Sequence, residues 1–326
     1  MGDWEGVRLH VVTGKGGTGK TTASAALALA LATGGHRVLL AEVEGRQALA
    51  QVFGVAPLDY DERRIASAPG GGEVHGIAID AGEAMHEYLA IFYKLGRAAR
   101  ALDRLGFVDF ATTIAPGLRD VLLTGKTYEA TRRLDSRRSH VYDAVVLDAP
   151  PTGRITQFLD VNTSVSSLAR VGPINRQANS ITNLVHSPLT AVHVVTVLEE
   201  MPVQESVDAV DELRQTGIQV GAIMVNQVRA PHLRSRDLAP ARRLDLDREA
   251  IADGLRAAGL PDDGAVVDRL VDEAAYHADR VLIERKERTT LTALDRPLYD
   301  LPRCPTGIDP AALYELAEAL TEQGAA

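Results

Sequence analysis

A doubly wound, mostly parallel α/β sheet is the fold class this sequence predicts, and three observations predict it. Short, near-continuous apolar runs of strand length recur along the 326 residues. Stretches of helical periodicity separate them, the pattern of parallel strands covered on both faces. The first apolar run also ends in a glycine-rich turn that opens a helix, a unit that presents backbone amides to anions.

Val7 to Val12 reads as the first strand, ended by Thr13-Gly14, and Lys20 to Thr33 as a helix of small residues closed by Gly34-Gly35. Arg37 to Ala41 is a second buried strand and Val74 to Ile79 a third. Ala144 to Leu147 leads into Asp148. Val192 to Val197, a helix from Val203 to Thr216 and a strand from Val220 to Val225 follow, and a helix over Ala311 to Glu322 finishes the chain. Two stretches, at about 82–133 and 155–188, are helical with no strand between, and are expected to form a helical subdomain inserted in one 1–326 domain. In the first, Met85, Tyr88, Leu89, Phe92 and Leu95 share a broad helical face, which packs as core or forms a groove. Arg229 to Arg243, rich in Arg, Pro and Asp, reads as an exposed connection. No internal duplication is evident.

Composition narrows the function classes. The chain is 45% hydrophobic, 24% charged and 4% aromatic, ordinary for a globular protein. A net charge of −9 speaks against nucleic acid or anionic lipid as a general partner. Cys304 is the single cysteine, so no internal disulfide forms and a reducing cytoplasm is expected. The start lacks a basic segment and an apolar core of signal-peptide type. The longest apolar run, Ala23 to Ala32, is about half of what a membrane span needs.

Gly14-Lys15-Gly16-Gly17-Thr18-Gly19-Lys20-Thr21 fits G-x-x-x-x-G-K-[ST] between a strand and a helix. Glycines let successive N–H groups, through Thr22, curl round phosphate oxygens, and the helix N-terminus adds partial positive charge. In such a loop Lys20 reaches the β- and γ-phosphates of ATP or GTP, and the Thr21 hydroxyl is a ligand for Mg2+. Asp148, at the end of its strand in VVLDAPPTGR, stands where a carboxylate holds Mg2+ through water; the alternative is a helix N-cap. Val225-Asn226-Gln227 ends another strand, and an Asn amide pairs with both donor and acceptor on an adenine edge.

GKGGTGKTT, with Lys15 directly after the first glycine, resembles the deviant Walker A signature. DAPPTGR resembles the D-x-A-P-T-G-H segment, and Val225-Asn226-Gln227 the adenine-reading V-N-Q, of the arsenical-pump and tail-anchored-protein-targeting ATPases. Leu198 to Leu213 is similar to that family's strand-to-helix passage. The whole pattern is most similar to an actinobacterial subgroup of anion-transporting ATPases. The resemblance implies a Mg2+-dependent ATPase that works as a homodimer, or as a heterodimer with a paralogous ATPase. Such a dimer closes on ATP and couples that change to a protein cargo or membrane-protein partner, without itself inserting in the membrane. It further implies that Lys15 crosses the dimer to the partner's phosphates, although Lys15 could instead only improve local phosphate electrostatics. Pro302, near the single cysteine, falls where that family flanks the adenine.

Two departures bear on this expectation. Where the family reads D-P-A-H-N, this chain has Glu44-Gly45-Arg46-Gln47-Ala48. The family's Asp orients the attacking water; Glu44 either keeps that carboxylate with an added methylene, and a displacement of about 1 Å slows a reaction severely, or is a plain loop glutamate. The chain is then a slow ATPase, a partner-dependent one, or a nucleotide-binding regulatory subunit of a hetero-oligomer. One cysteine cannot supply the thiolates of a metalloid site or a C-x-x-C zinc clasp, and the nine histidines show no H-E-x-x-H pair. An ATP-dependent small-molecule ligase and a DNA-segregation ATPase remain as readings from other classes. The inserted helices disfavour the first and the acidic charge the second.

Overall fold

The computed structural model describes residues 4–43, 45, 47–93, 116–161 and 173–325. Among these, β1 (Leu9–Gly14), β2 (Arg37–Glu42), β3 (Arg63–Ala68), β4 (Gly72–Ala78), β5 (Ala144–Asp148), β6 (Thr190–Thr196), β7 (Val220–Val228) and β8 (Leu298–Pro302) form one sheet. Its order is β3-β4-β2-β5-β1-β6-β7-β8. Every neighbouring pair is parallel except β3–β4. The central strands β1 and β6 are buried along their whole length, so apolar residues run through them without alternation. The sequence-predicted fold class is the observed one.

One face of the sheet is covered by α1 (Lys20–Ala32), α2 (Ala48–Phe53) and α11 (Pro310–Glu322), whose apolar residues pack with Val12, Val38, Leu40, Val146 and Met224. Seven of the eight residues from Ala23 to Ala30 are Ala or Leu, and all eight are buried. A helix that sheathed in alanine sits close to the strands and close to α11 together. The other face is covered by α4 (Pro116–Arg132), α5 (Thr152–Leu159), α6 (Pro173–Val185) and α7 (Glu200–Gln215). Helix α3 (Ala81–Tyr93) lies against α4 and α6 through Ala84, Met85, Tyr88, Leu122 and Ile174. Met85 and Tyr88 of the expected stripe are thus buried core, with Leu89 packed against them; Leu95 and the Phe92 side chain are outside the described set.

Several boundaries and elements differ from the sequence reading. The second inserted stretch holds two helices, α5 and α6, with residues 162–172 outside the described set. β3 and β8 were not expected: both are edge strands, where one side lacks a partner and the apolar pattern weakens. The Arg229–Arg243 connection is in part folded. Its α8 (Leu238–Arg242) buries Leu238 and Ala241 against Ala278 and Val281 of α10 (Gly264–Thr292), reached through α9 (Arg248–Ala257). Asp247, Asp263 and Asp309 each accept a bond from a backbone N–H three residues on, capping α9, α10 and α11.

Candidate functional site

Gly14 to Thr22 link the C-terminal end of β1, at the centre of the sheet, to the first turn of α1. Gly14 lies against β6, where a Cβ would stand 2.2 Å from the Val195 carbonyl oxygen. Gly16 and Gly17 form the exposed crest and Thr18 folds back under it, donating from Oγ1 to the Lys15 carbonyl at 2.8 Å. Gly19 caps α1 at φ 87°, and its missing side chain makes room for Asn226, whose Nδ2 a Cβ would approach to 2.1 Å. Asn226 donates from Nδ2 to the Thr18 carbonyl at 2.8 Å, while its Oδ1 accepts from the Gln227 N–H at 2.8 Å. The residue expected to read the base therefore also braces the loop. Gln227, still within β7, takes φ 57°, at the register shift between Val225 and Val228 in the pairing with β8.

Asp148 ends β5 beside β1, in register with Val12 on one side and Glu42 on the other. The Thr21 hydroxyl donates to its Oδ2 at 2.7 Å, and Ser24 lies 3.4 Å from its Oδ1. The two side chains expected to hold a divalent cation are therefore within hydrogen-bonding distance, on a carboxylate that is 8% exposed. Burial pushes Asp148 up to about 6, against the opposing pull of the Thr21 hydroxyl and the Lys20 ammonium, and Glu42 adds to the rise. A buried carboxylate and a hydroxyl below a crest of glycines form an oxygen donor set that suits Mg2+, next to amides that suit phosphate.

Glu42 is the residue that sequence reasoning passed over. It is 2% exposed, and its two oxygens accept from the Ala48 and Leu49 N–H groups at 3.2 and 3.3 Å. It thereby caps α2, directly after the segment containing Glu44. The signal in the sequence was a carboxylate closing an apolar strand, the same signal that singled out Asp148. Glu44 and Arg46 lie outside the described residues. Gln47, at φ 56°, exchanges two hydrogen bonds with the Leu58 backbone at 2.7 and 2.8 Å, so both ends of that segment are anchored.

Two further contacts link the loop to its surroundings. Thr13 donates to the Pro150 carbonyl at 2.7 Å, coupling the end of β1 to the Pro/Gly turn that enters α5. Lys15 is ion-paired with Glu205 of α7 at 2.6 Å, a partner that no local pattern reveals. Pro302 ends β8 opposite Val228 and lines a cleft with Arg229, Tyr276 and Arg303. Among the described residues no group of three or more His, Cys, Asp or Glu could hold a metal, and no helix is long and apolar enough to cross a membrane.

Residues 7–189 match the family described as anion-transporting ATPase. The chain is 51% identical over 319 residues to the ATPase BagA of Mycobacterium tuberculosis, covering 98% of this chain and 94% of that protein. It is 26% identical over 258 residues to the arsenical pump-driving ATPase of Acidiphilium multivorum, covering 74% and 42%. An uncharacterized Streptomyces coelicolor protein is 31% identical over 180 residues, covering 53% and 42%. With its loop, its strand-end carboxylate and this likeness along nearly the whole length, the chain belongs to the anion-transporting ATPase family, a family of ATP-binding, nucleotide-dependent ATPases.

Proposed function

We propose that this chain is a Mg2+-dependent, ATP-hydrolysing dimeric switch in the cytoplasm that couples nucleotide state to a protein or membrane partner. The observation that carries the reading is the 2.7 Å bond between Thr21 and Asp148 beneath the glycine crest. It unites in one place a phosphate-binding loop and the oxygen donors for a cation. The amides of Gly14 to Thr22 and the Lys20 ammonium bind the phosphates, and Thr21 and Asp148 hold Mg2+. Bound Mg2+ supplies charge neutralisation at the phosphate oxygens. Glu44 orients the attacking water, and Asn226 and Pro302 face the base. Lys15 acts across the dimer; its part-exposed ammonium, paired among the described residues with a part-exposed Glu205, is available for exchange to a new anion. Collection of a soft metalloid by thiolates does not fit a chain whose one cysteine is Cys304.

Single-turnover hydrolysis of Mg-ATP by the purified chain, beside Lys15→Ala, tests this. Turnover by the wild type, with loss in the variant and retained ATP binding, is the expected result. If the wild type binds ATP and leaves it intact, the chain is a nucleotide-binding subunit that needs another protein to complete its site.

A further inference from the structure

Beyond Asn226, the ends of β7 and β8 open into two clefts with a common wall. The larger, about 830 Å3, runs from Val228 and Arg229 past His232 to Pro302 and Arg303. The smaller, about 280 Å3, lies between Leu198, Asn226 and Gln227 on one side and Ile283 of α10 on the other. Tyr276 and Arg280 of α10 line both. Tyr276 is 73% exposed, the most exposed large apolar side chain among the described residues.

An exposed tyrosine on its own is ordinary; three features set this one apart. It stands at the boundary of the two clefts that flank the residues after Asn226, the side chain braced against the phosphate loop. It is carried by a 29-residue helix rather than by a loop. That helix is fastened to the sheet end on the C-terminal side of the ring. The His232 N–H donates to His277 Nε2 at 3.2 Å, an imidazole that Arg280 of the same helix contacts at Nδ1 at 2.7 Å, and Arg288 makes two 2.9 Å bonds to Asp300 of β8. The ring thus stands on an anchored helix at an open cleft, and the smaller cleft begins at Asn226, the side chain that braces the P-loop.

We infer that Tyr276 stacks on the base of the bound nucleotide and is a main determinant of its affinity. The inference rests on the nucleotide reading above and adds to it a residue far from every motif. A planar heteroaromatic base that enters past Asn226 would have the Tyr276 ring to stack on, and Pro302 lines the same larger cleft. Stacking does not read the base edge, so Tyr276 contributes equally for adenine and guanine, while Asn226 discriminates between them.

The test is calorimetric titration of the full chain with Mg-AMP-PNP, Mg-GMP-PNP and Mg-tripolyphosphate. Wild type, Tyr276→Ala and Tyr276→Phe are compared. Base stacking on an aromatic ring corresponds to roughly a five- to hundredfold change in affinity. Tyr276→Ala is expected to weaken both nucleotides by a factor in that range and to leave tripolyphosphate within about twofold, with Tyr276→Phe close to wild type. Unchanged nucleotide affinity in Tyr276→Ala overturns the assignment. So does an equal loss for tripolyphosphate, which would place the effect in the loop rather than at the base. If the wild type binds neither nucleotide nor tripolyphosphate, the nucleotide reading itself fails and the stacking role falls with it.

Discussion

Gly19→Ala, compared with Gly17→Ala, separates two reasons for glycine in the phosphate loop. Both positions have left-handed backbone, φ 87° and φ 90°, a conformation that costs an L-residue about 1–2 kcal/mol. At Gly17 an added Cβ meets nothing within 4 Å, so that cost is the whole effect. At Gly19 the Cβ would lie 2.1 Å from Asn226 Nδ2, so the amide must swing off the Thr18 carbonyl. Leaving those buried groups unpaired adds about 1–3 kcal/mol, for a total of about 2–5 kcal/mol. Urea unfolding of the metal-free chain reads both. The decisive arm is the double variant Gly19→Ala/Asn226→Ala. With the amide gone, Gly19→Ala is expected to fall back to the Gly17→Ala cost, giving a coupling of about 1 kcal/mol or more. If Gly19→Ala costs no more than Gly17→Ala, or if the two losses add, the brace between β7 and the loop has no energetic role.

Three further outcomes follow from the same geometry. Asp148→Asn removes a carboxylate raised from its ordinary value of 3.8 to about 6. The penalty for its charge in the fold appears as pH rises from about 4 to about 6 and is constant above, so at pH 7.5 the metal-free variant is expected to be more stable by up to about 3 kcal/mol while losing turnover. Urea midpoints at pH 4 and 7.5 check this: a variant less stable at pH 7.5 refutes it. His10 and His193 form a buried pair, Nδ1 to Nε2 3.0 Å, packed on Trp4. Burial lowers His10 to about 3 and holds His193 well below its ordinary value. Their neutral forms stabilise the fold fully above pH 6.5, and below that His10 alone is expected to withdraw about 1.4 kcal/mol per pH unit. A wild-type urea midpoint that stays flat from pH 7 to pH 5 once the Asp148 contribution is subtracted contradicts this. Glu205→Gln breaks a part-exposed pair with Lys15 worth under about 1 kcal/mol. It should leave the urea midpoint unchanged and lower the nucleotide concentration at which sedimentation shows a dimer; no change in that threshold means Glu205 does not restrain Lys15.

The phosphate loop was legible because Gly14 to Thr22 are contiguous, so backbone conformation, charge and hydroxyl chemistry all show in one window. Asp148 was legible because a carboxylate closing an apolar strand is conspicuous. What escaped was pairing at long range. Nothing near Lys15 announces Glu205, and nothing near Thr18 announces Asn226, 208 positions away. Glu42 is visible as a strand end, but its role needs the register that sets it beside Asp148. Helix α10 was hidden for a different reason. Its buried positions Val267, Val271, Ala278, Val281, Glu287 and Leu291 are sparse among charged residues, too thin a stripe for a periodicity argument.

The sheet order carries a consequence for synthesis. β1, made before the other described strands, has β5 and β6 as its neighbours, and the Thr13–Pro150 bond spans 137 positions. Until the ribosome has released β5, neither side of β1 has a partner. The alanine- and leucine-rich α1, buried from Ala23 to Ala30 in the finished molecule, then lacks β5 and α11, two of the elements that cover it. Such non-local closure is slow and leaves apolar surface open to misassembly during translation. A nascent chain stalled before residue 144 is therefore expected to be protease-sensitive across its phosphate loop and dependent on chaperones. Protection of that loop should arrive only after β6 emerges, late in the making of a site whose loop is encoded far upstream of β6.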